Sequence, residues 1–479
     1  MLDAERDAPG SGAVRRWLEW RSGALPLAGA ALLGFCVTIY LCAPGFMARD
    51  SGMQLQQARA FSFFDDHPVV MALVWHYLDR LVPGPLGMLL LTTGLYWAGL
   101  GGLFWALPGS VLLRTAGVLG AGFFLPAFSC LPIVLKDSLM HGALLVALAI
   151  LVAPSRRGRA WRLGAAFVLL SFAIGVRHNA AAAAWPFAAL PLLGVLPIQG
   201  PWRRLLGAGA LGLALTFILA VAVPRAVAPL AQRTEFWQTI PAFDLAGMSL
   251  QADELLIEPE TELFTQGMGL EHVRTLFRID YGSQLYYCIA FGGKRCVPLF
   301  RRSQDPEQLQ QLSGNWLRAI RQHPGAYLAH RYQFARALLT SNRSGKQLYY
   351  LSQAPHHKLA RGYPPSERSL RVMAWLERQL KRKLYQPWIY ALLCVVLVPI
   401  GLWRYARDGQ AVCLALALSG GSYLLSTIAG ANSTDYRYSV WTILCALLSL
   451  IAALLSDSSL AAPLLSRAAP EAAPGAPGR

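Results

Sequence analysis

"ALPLAGAALLGFCVTIYLCAPGFMARD", residues 24–50, is an apolar run with no Asp, Glu, Lys or Arg before Arg49, and it ends on an aspartate. A helix rises ~1.5 Å per residue and bilayer hydrocarbon is ~30 Å thick, so about 20 such residues cross it. The preceding "MLDAERDAPGSGAVRRWLEWR" is polar and carries acids, and no small-residue cleavage site follows the run. It therefore reads as a retained span rather than a removed signal peptide.

The same length test, carried along the chain, selects ten runs: 24–44, 86–107, 111–131, 138–153, 163–177, 180–198, 205–224, 387–403, 410–430 and 438–455. With 55% hydrophobic and 14% charged residues over 479, the composition excludes an ordinary soluble protein. The expected fold is all-α, a polytopic transmembrane helical bundle of about ten spans with a mostly helical extracytoplasmic insertion. Its expected divisions are a cytoplasmic segment 1–23, spans one to seven over 24–224 with a first outer loop 45–85, an insertion 225–386, spans eight to ten over 387–455, and a tail 456–479. That tail reads as cytoplasmic, low-complexity and disordered. Within the insertion, "GNWLRAIRQHPGAYLAHRYQFARALL" (314–339) reads as two helices broken at His323-Pro324.

The formal charge is +17, yet the basic residues cluster beside the spans: "RRWLEWR" before the first, "SRRGRAWR" (155–162), "PWRR" (201–204) and "WRYARD" (403–408). Short cytoplasmic loops carry such excess, and counting alternately from a cytoplasmic N-terminus puts all four clusters on one side. No basic face on a soluble fold and no stacking aromatic motif accompanies them, which excludes nucleic acid as a partner.

The mixed-charge clusters fall on the opposite side under the same count. They are 49–67, "LKDSLMH" (135–141), "VRHNA" (176–180) and "NSTDYRYS" (432–439). Loops distant in sequence thus bring Asp50, Asp65, Asp66, His67, Lys136, Asp137, Arg177, His178, Asp435 and Arg437 to one surface, over spans that are almost free of charge. Carboxylates there can act as general base or hold a divalent metal, and Arg and Lys can neutralise a departing phosphate. That mixture suits group transfer from a phosphate-linked lipid.

Plainer readings stand beside these. Asp50 can simply cap the helix "DSGMQLQQARAF", and Asp65, Asp66 and His67 can serve a helix start before Pro68. Lys136 and Asp137 can form a surface pair, and Arg177 and Arg437 can snorkel to the headgroups. His178 and Asn179 read as structural. His323, His330, His356 and His357 lack a second ligand set at metal spacing, and "GGKR" (292–295) is too short for a phosphate loop. Cys288 and Cys296 are open to a local disulfide or to two thiols. Glycines such as "GLGG" (99–102) suit close helix packing.

An Asp soon after the first span ("MARDSGMQ"), a first outer loop ending in "DDHPVV", the Lys136-Asp137 pair, and "RHN" and "DYRY" in later outer loops together resemble the bacterial GT-C superfamily of membrane glycosyltransferases. These enzymes use polyprenyl-phosphate-linked sugars and include relatives of the protein O-mannosyltransferases and the lipid A aminoarabinose transferase. Val69 follows His-Pro where many relatives carry a second proline, and the large insertion lies before span eight rather than after the last span. The resemblance implies a glycosyltransferase of the bacterial cytoplasmic (inner) membrane with its active site facing the periplasm or exterior. The donor would be a polyprenyl-phosphate sugar, the acceptor a glycan, lipid or protein hydroxyl, and the outcome inversion. It implies catalytic roles for Asp50, Asp66 and His67, phosphate binding by Lys136, Arg177 and Arg437, and support from Asp65, Asp137 and Asp435. The cofactor stays unknown, a divalent ion on Asp50 being one alternative. A transporter or flippase for a lipid-linked saccharide is the competing reading; it calls for a polar route through the bundle or an inverted repeat, and the sequence displays neither.

Overall fold

The computed structural model describes residues 11–153, 158–258, 261–282, 284–287, 297–341 and 362–455, with side chains from residue 23 onward. The chain is an all-α membrane bundle. Among the described residues, seven helices are long and apolar enough to cross a bilayer: Gly23–Cys42, Pro85–Ala106, Arg159–Val176, Pro201–Leu230, Pro387–Asp408, Val412–Gly430 and Tyr436–Leu455.

The other three apolar runs make shorter helices, Val111–Gly122, Lys136–Val152 and Ala180–Leu193, of 12, 17 and 14 residues. At ~1.5 Å per residue they reach roughly 18, 26 and 21 Å, less than the ~30 Å of hydrocarbon. The run expected over 111–131 is cut because the chain after Gly122 turns into a four-residue helix, Leu125–Phe128, and then into irregular backbone. Residues 126–135 are buried, so their polar groups need protein partners. Part of that demand is met by the chain just past the first span: Phe46 N donates to Pro132 O at 3.0 Å and Val134 N to Phe46 O at 2.9 Å. The two segments run parallel, and they carry Asp50 and Lys136 to neighbouring positions.

Glycines let the helices beneath that junction approach. A Cβ on Gly99 would lie 2.5 Å from Leu145 Cβ and 2.9 Å from backbone atoms of Leu145 and Val146. One on Gly142 would lie 2.7 Å from Leu95 Cβ. Helices Pro85–Ala106 and Lys136–Val152 therefore touch nearly backbone to backbone, as small residues permit inside membranes. Gly99→Val should lower stability by about 1–3 kcal/mol, the usual cost of overpacking. Gly29→Ala, where a Cβ meets nothing within 4 Å, should leave the detergent unfolding temperature unchanged.

The stretch 225–386 contributes to two cores. Helices Thr239–Ala252, Pro306–Gln322 and Pro324–Leu339 enclose Phe243, Leu312 and Phe334 in a second core, which Leu424 of helix Val412–Gly430 also enters, and the helix break falls at His323-Pro324. Helix Glu367–Gln379 instead buries Met373 and Leu376 in the main core of the bundle. A buried cluster fixes the first of these units to the bundle. Asp244 meets His330 Nε2 at 3.1 Å, Arg331 Nη2 at 2.6 Å and Trp316 Nε1 at 3.0 Å. Arg331 in turn donates to Ile428 O at 3.2 Å and Ala431 O at 2.8 Å, at the carbonyl-rich end of helix Val412–Gly430, where a cation is favoured.

Candidate active site at the Asp50 end of the bundle

The first span ends at Cys42, and helix Arg49–Ala60 begins with Asp50 in its first turn. The helix start is not held by Asp50. Ser51 Oγ reaches back to accept from Ala48 N at 3.1 Å and donates to Val134 O. The Asp50 carboxylate is thereby left to turn towards the other loops. Its Oδ2 accepts from Arg437 Nη1 at 3.0 Å, and its Oδ1 stands 3.9 Å from His67 Nε2.

His67 Nδ1 lies 3.1 Å from Lys136 Nζ. An ammonium has only protons to offer, so Nδ1 accepts and Nε2 carries the ring proton, facing Asp50. Burial first, then Lys136, pushes the imidazole down to about 4, with Asp50 and Asp66 pulling the other way. The ring is neutral at pH 7. For Asp50, burial works against ionisation, but Arg437 and then His67 and Lys136 outweigh it and hold the carboxyl below the usual carboxylate range. Asp66, one residue from His67, accepts from Gln57 Nε2 at 3.4 Å.

A folded-state pKa of about 4 lies below the ordinary 6.5 of the unfolded chain, so the unfolded chain binds more protons between those values. The stability that His67 contributes is complete above pH 6.5 and drains away as pH falls towards 4, by at most ~1.4 kcal/mol per pH unit. Unfolding measured from pH 7 to pH 4 should therefore be shallower in His67→Gln than in the parent chain. Identical slopes would show that the ring does not titrate there.

Beneath Asp50 lies a second acid. Asp137 opens helix Lys136–Val152 with 1% of its side chain exposed and pairs with Arg177 Nη1 at 2.5 Å. Arg437 links the two levels: Nη1 is also 3.9 Å from Asp137 Oδ2, and Nη2 is 3.2 Å from Asp435 Oδ2. The Tyr438 ring stacks with both guanidinium groups, 4.5 Å from Arg177 and 5.1 Å from Arg437, and its hydroxyl accepts from Arg437 Nη2 at 3.3 Å. Asp50, Asp137 and Asp435 thus face Lys136, Arg177 and Arg437, three anions against three cations.

Of the residues expected to converge, Asp50, His67, Lys136, Asp137, Arg177, Asp435 and Arg437 form this one network, with Asp66 beside it. Asp65 serves elsewhere. It accepts from Thr234 N at 2.6 Å, from the Thr234 hydroxyl, and from Glu235 N at 3.2 Å. That arrangement, with strand Phe63–Phe64 paired to Ala231–Gln232, ties the first loop to the segment after the seventh run. His178 is exposed, and Asn179 precedes helix Ala180–Leu193. His330 belongs to the Asp244 cluster. Cys288, Cys296, His356 and His357 lie outside the described residues.

A divalent ion on Asp50 finds poor surroundings. Among the described residues no group of three or more His, Cys, Asp or Glu is placed to hold a metal. The closest partners of Asp50 are an arginine and an imidazole N–H, which repel a second cation.

Tyr438 was missed as a site residue; its adjacency to Arg437 in "DYRYS" was the available signal, since guanidinium groups favour aromatic faces. Ser51 was missed as well, and its role rests on a long-range contact with Val134 that no local pattern announces.

Comparison with family models, with curated proteins and with solved structures finds no match to this chain.

Proposed function

We propose that the chain is a membrane glycosyltransferase. It moves a sugar from a polyprenyl-phosphate-linked donor to an acceptor hydroxyl on the outer face of the bacterial cytoplasmic membrane. The observation that carries this reading is the Asp50–Arg437 pair at 3.0 Å, set where the first spanning helix ends and flanked by Lys136, His67 and Arg177. A carboxylate and cations at that position face a lipid phosphate and a water-borne hydroxyl together.

In the proposed reaction the acceptor oxygen attacks the anomeric carbon and the bond from that carbon to the phosphate oxygen breaks. The hydroxyl proton passes to Asp50, and polyprenyl phosphate leaves with the bonding pair, its charge met by Arg437 and Lys136. A single displacement inverts the anomeric centre. In the resting arrangement Arg437 makes Asp50 a weak base. A donor phosphate that draws Arg437 away raises the proton affinity of Asp50, so the base is strengthened when the donor is seated.

Polyprenyl phosphate, the leaving product, should bind the purified chain and bind Arg437→Gln at least about tenfold more weakly, a loss of ~1.4 kcal/mol. Titration followed by native mass spectrometry reads this directly. Equal affinity for the two chains would remove Arg437, and with it the phosphate role of the network, from the proposal.

A further inference from the structure

Helix Glu367–Gln379 has one face in the bundle core, through Met373 and Leu376, and an opposite face exposed. Its N-terminal end is bound to the end of the first span: Ser369 Oγ donates to Ala43 O at 2.8 Å, and Arg368 Nη1 donates to Tyr40 O at 3.0 Å. The Arg368 guanidinium also covers the Tyr40 ring at 3.7 Å. A short connection then leads into the spanning helix Pro387–Asp408. The helix is thus joined to span ends at both of its own ends, by hydrogen bonds to Tyr40 and Ala43 at one and through residues 380–386 at the other.

The exposed positions are 367, 368, 370, 371, 374, 375, 377 and 378, a surface of Leu, Ala and Trp among three arginines and two glutamates. Leu370 is 46% and Trp375 43% exposed, and Leu384, just beyond, is 48% exposed. From Glu367 to Lys383 six basic residues stand against two acidic ones. Apolar and aromatic side chains among cations, on a helix joined to span ends, are what a bilayer interface of negative charge accommodates: the apolar groups sink to the acyl boundary and the cations meet the phosphates.

We propose that helix Glu367–Gln379 and the following Lys381–Lys383 form an interfacial binding surface for anionic phospholipid headgroups in the leaflet at the Asp50 end of the bundle. Trp375 and Leu370 sit at the acyl boundary, and Arg371, Arg378, Lys381 and Lys383 contact the lipid phosphates. This surface is independent of the transfer reaction proposed above, and it holds whether or not a sugar is moved.

The test uses the full chain in nanodiscs of phosphatidylglycerol or of phosphatidylcholine, with a benzophenone amino acid at position 375 or at position 317, an exposed leucine of helix Pro306–Gln322. Illumination should join position 375 to lipid and leave position 317 without it. Native mass spectrometry should show at least about threefold more phosphatidylglycerol than phosphatidylcholine retained, a preference lost in Lys381→Glu/Lys383→Glu. Three results would overturn the assignment: no lipid captured at 375; capture of a protein there in native membranes; or an unchanged lipid preference after charge reversal. Should the reversed variant not fold, the position 375 crosslink decides alone.

Discussion

Asp50→Asn should lose sugar transfer by about a thousandfold or more while keeping its fold. The asparagine retains the shape of the side chain and removes the charge that takes up the proton in the proposed reaction, and loss of a general base or of an equivalent electrostatic contact costs about 10²–10⁴ in rate. The fold should survive because the helix start is held by Ser51 and Val134, and because Arg437 keeps Asp435 at 3.2 Å. The measurement is turnover of the polyprenyl-phosphate sugars extracted from the host membrane, beside the unfolding temperature in the same detergent. A variant that transfers at the parental rate would remove Asp50 from the chemistry; one that no longer folds would assign it to structure.

The second large effect concerns the lower level of the network. Arg177→Met should destabilise the chain by about 3–5 kcal/mol, since it strands Asp137, with 1% of its side chain exposed, without its 2.5 Å partner. Asp137→Asn combined with Arg177→Met should recover most of that loss, because no charge is then left without its mate. A double-mutant cycle on unfolding free energy reads the coupling. Should the double variant be as unstable as the two losses summed, the pair contributes no mutual term and the buried arrangement is not what holds the loops together.

That result matters for function because Asp137 and Arg177 form the floor on which Arg437 rests. Arg437 reaches Asp137 at 3.9 Å and shares the Tyr438 ring with Arg177. Loosening the floor moves the cation that sets the basicity of Asp50. In the proposed reaction the donor phosphate and the acceptor proton would then no longer be presented together.

The convergence of the site was legible because topology counts: each of the clusters around Asp50, Lys136, Arg177 and Arg437 sits in a gap between apolar runs of the same parity. The division of labour within the cluster was not. Arg177 and Arg437 both read as phosphate ligands, but one is occupied by the buried carboxylate of Asp137 and the other by the partly accessible one of Asp50, a distinction made by tertiary packing. Asp65 and Asp66 are adjacent in sequence yet diverge, since Asp65 accepts the backbone N–H groups of Thr234 and Glu235. Helix lengths had the same limit. Apolar residues predominate through 111–131, whereas the helix stops at Gly122, with Pro126 in the next short helix and Pro132 O engaged by Phe46. Apolar composition reports burial, and the partner that ends a helix lies elsewhere in the chain.

The reading as an enzyme rather than a carrier is tested most directly by phosphorus NMR on proteoliposomes that hold the chain and its pooled lipid donors. The phosphodiester signal of the sugar-bearing lipid should convert to the monoester signal of polyprenyl phosphate when acceptor is present on the Asp50 side. A phosphodiester signal that persists while the lipid exchanges between leaflets would contradict it.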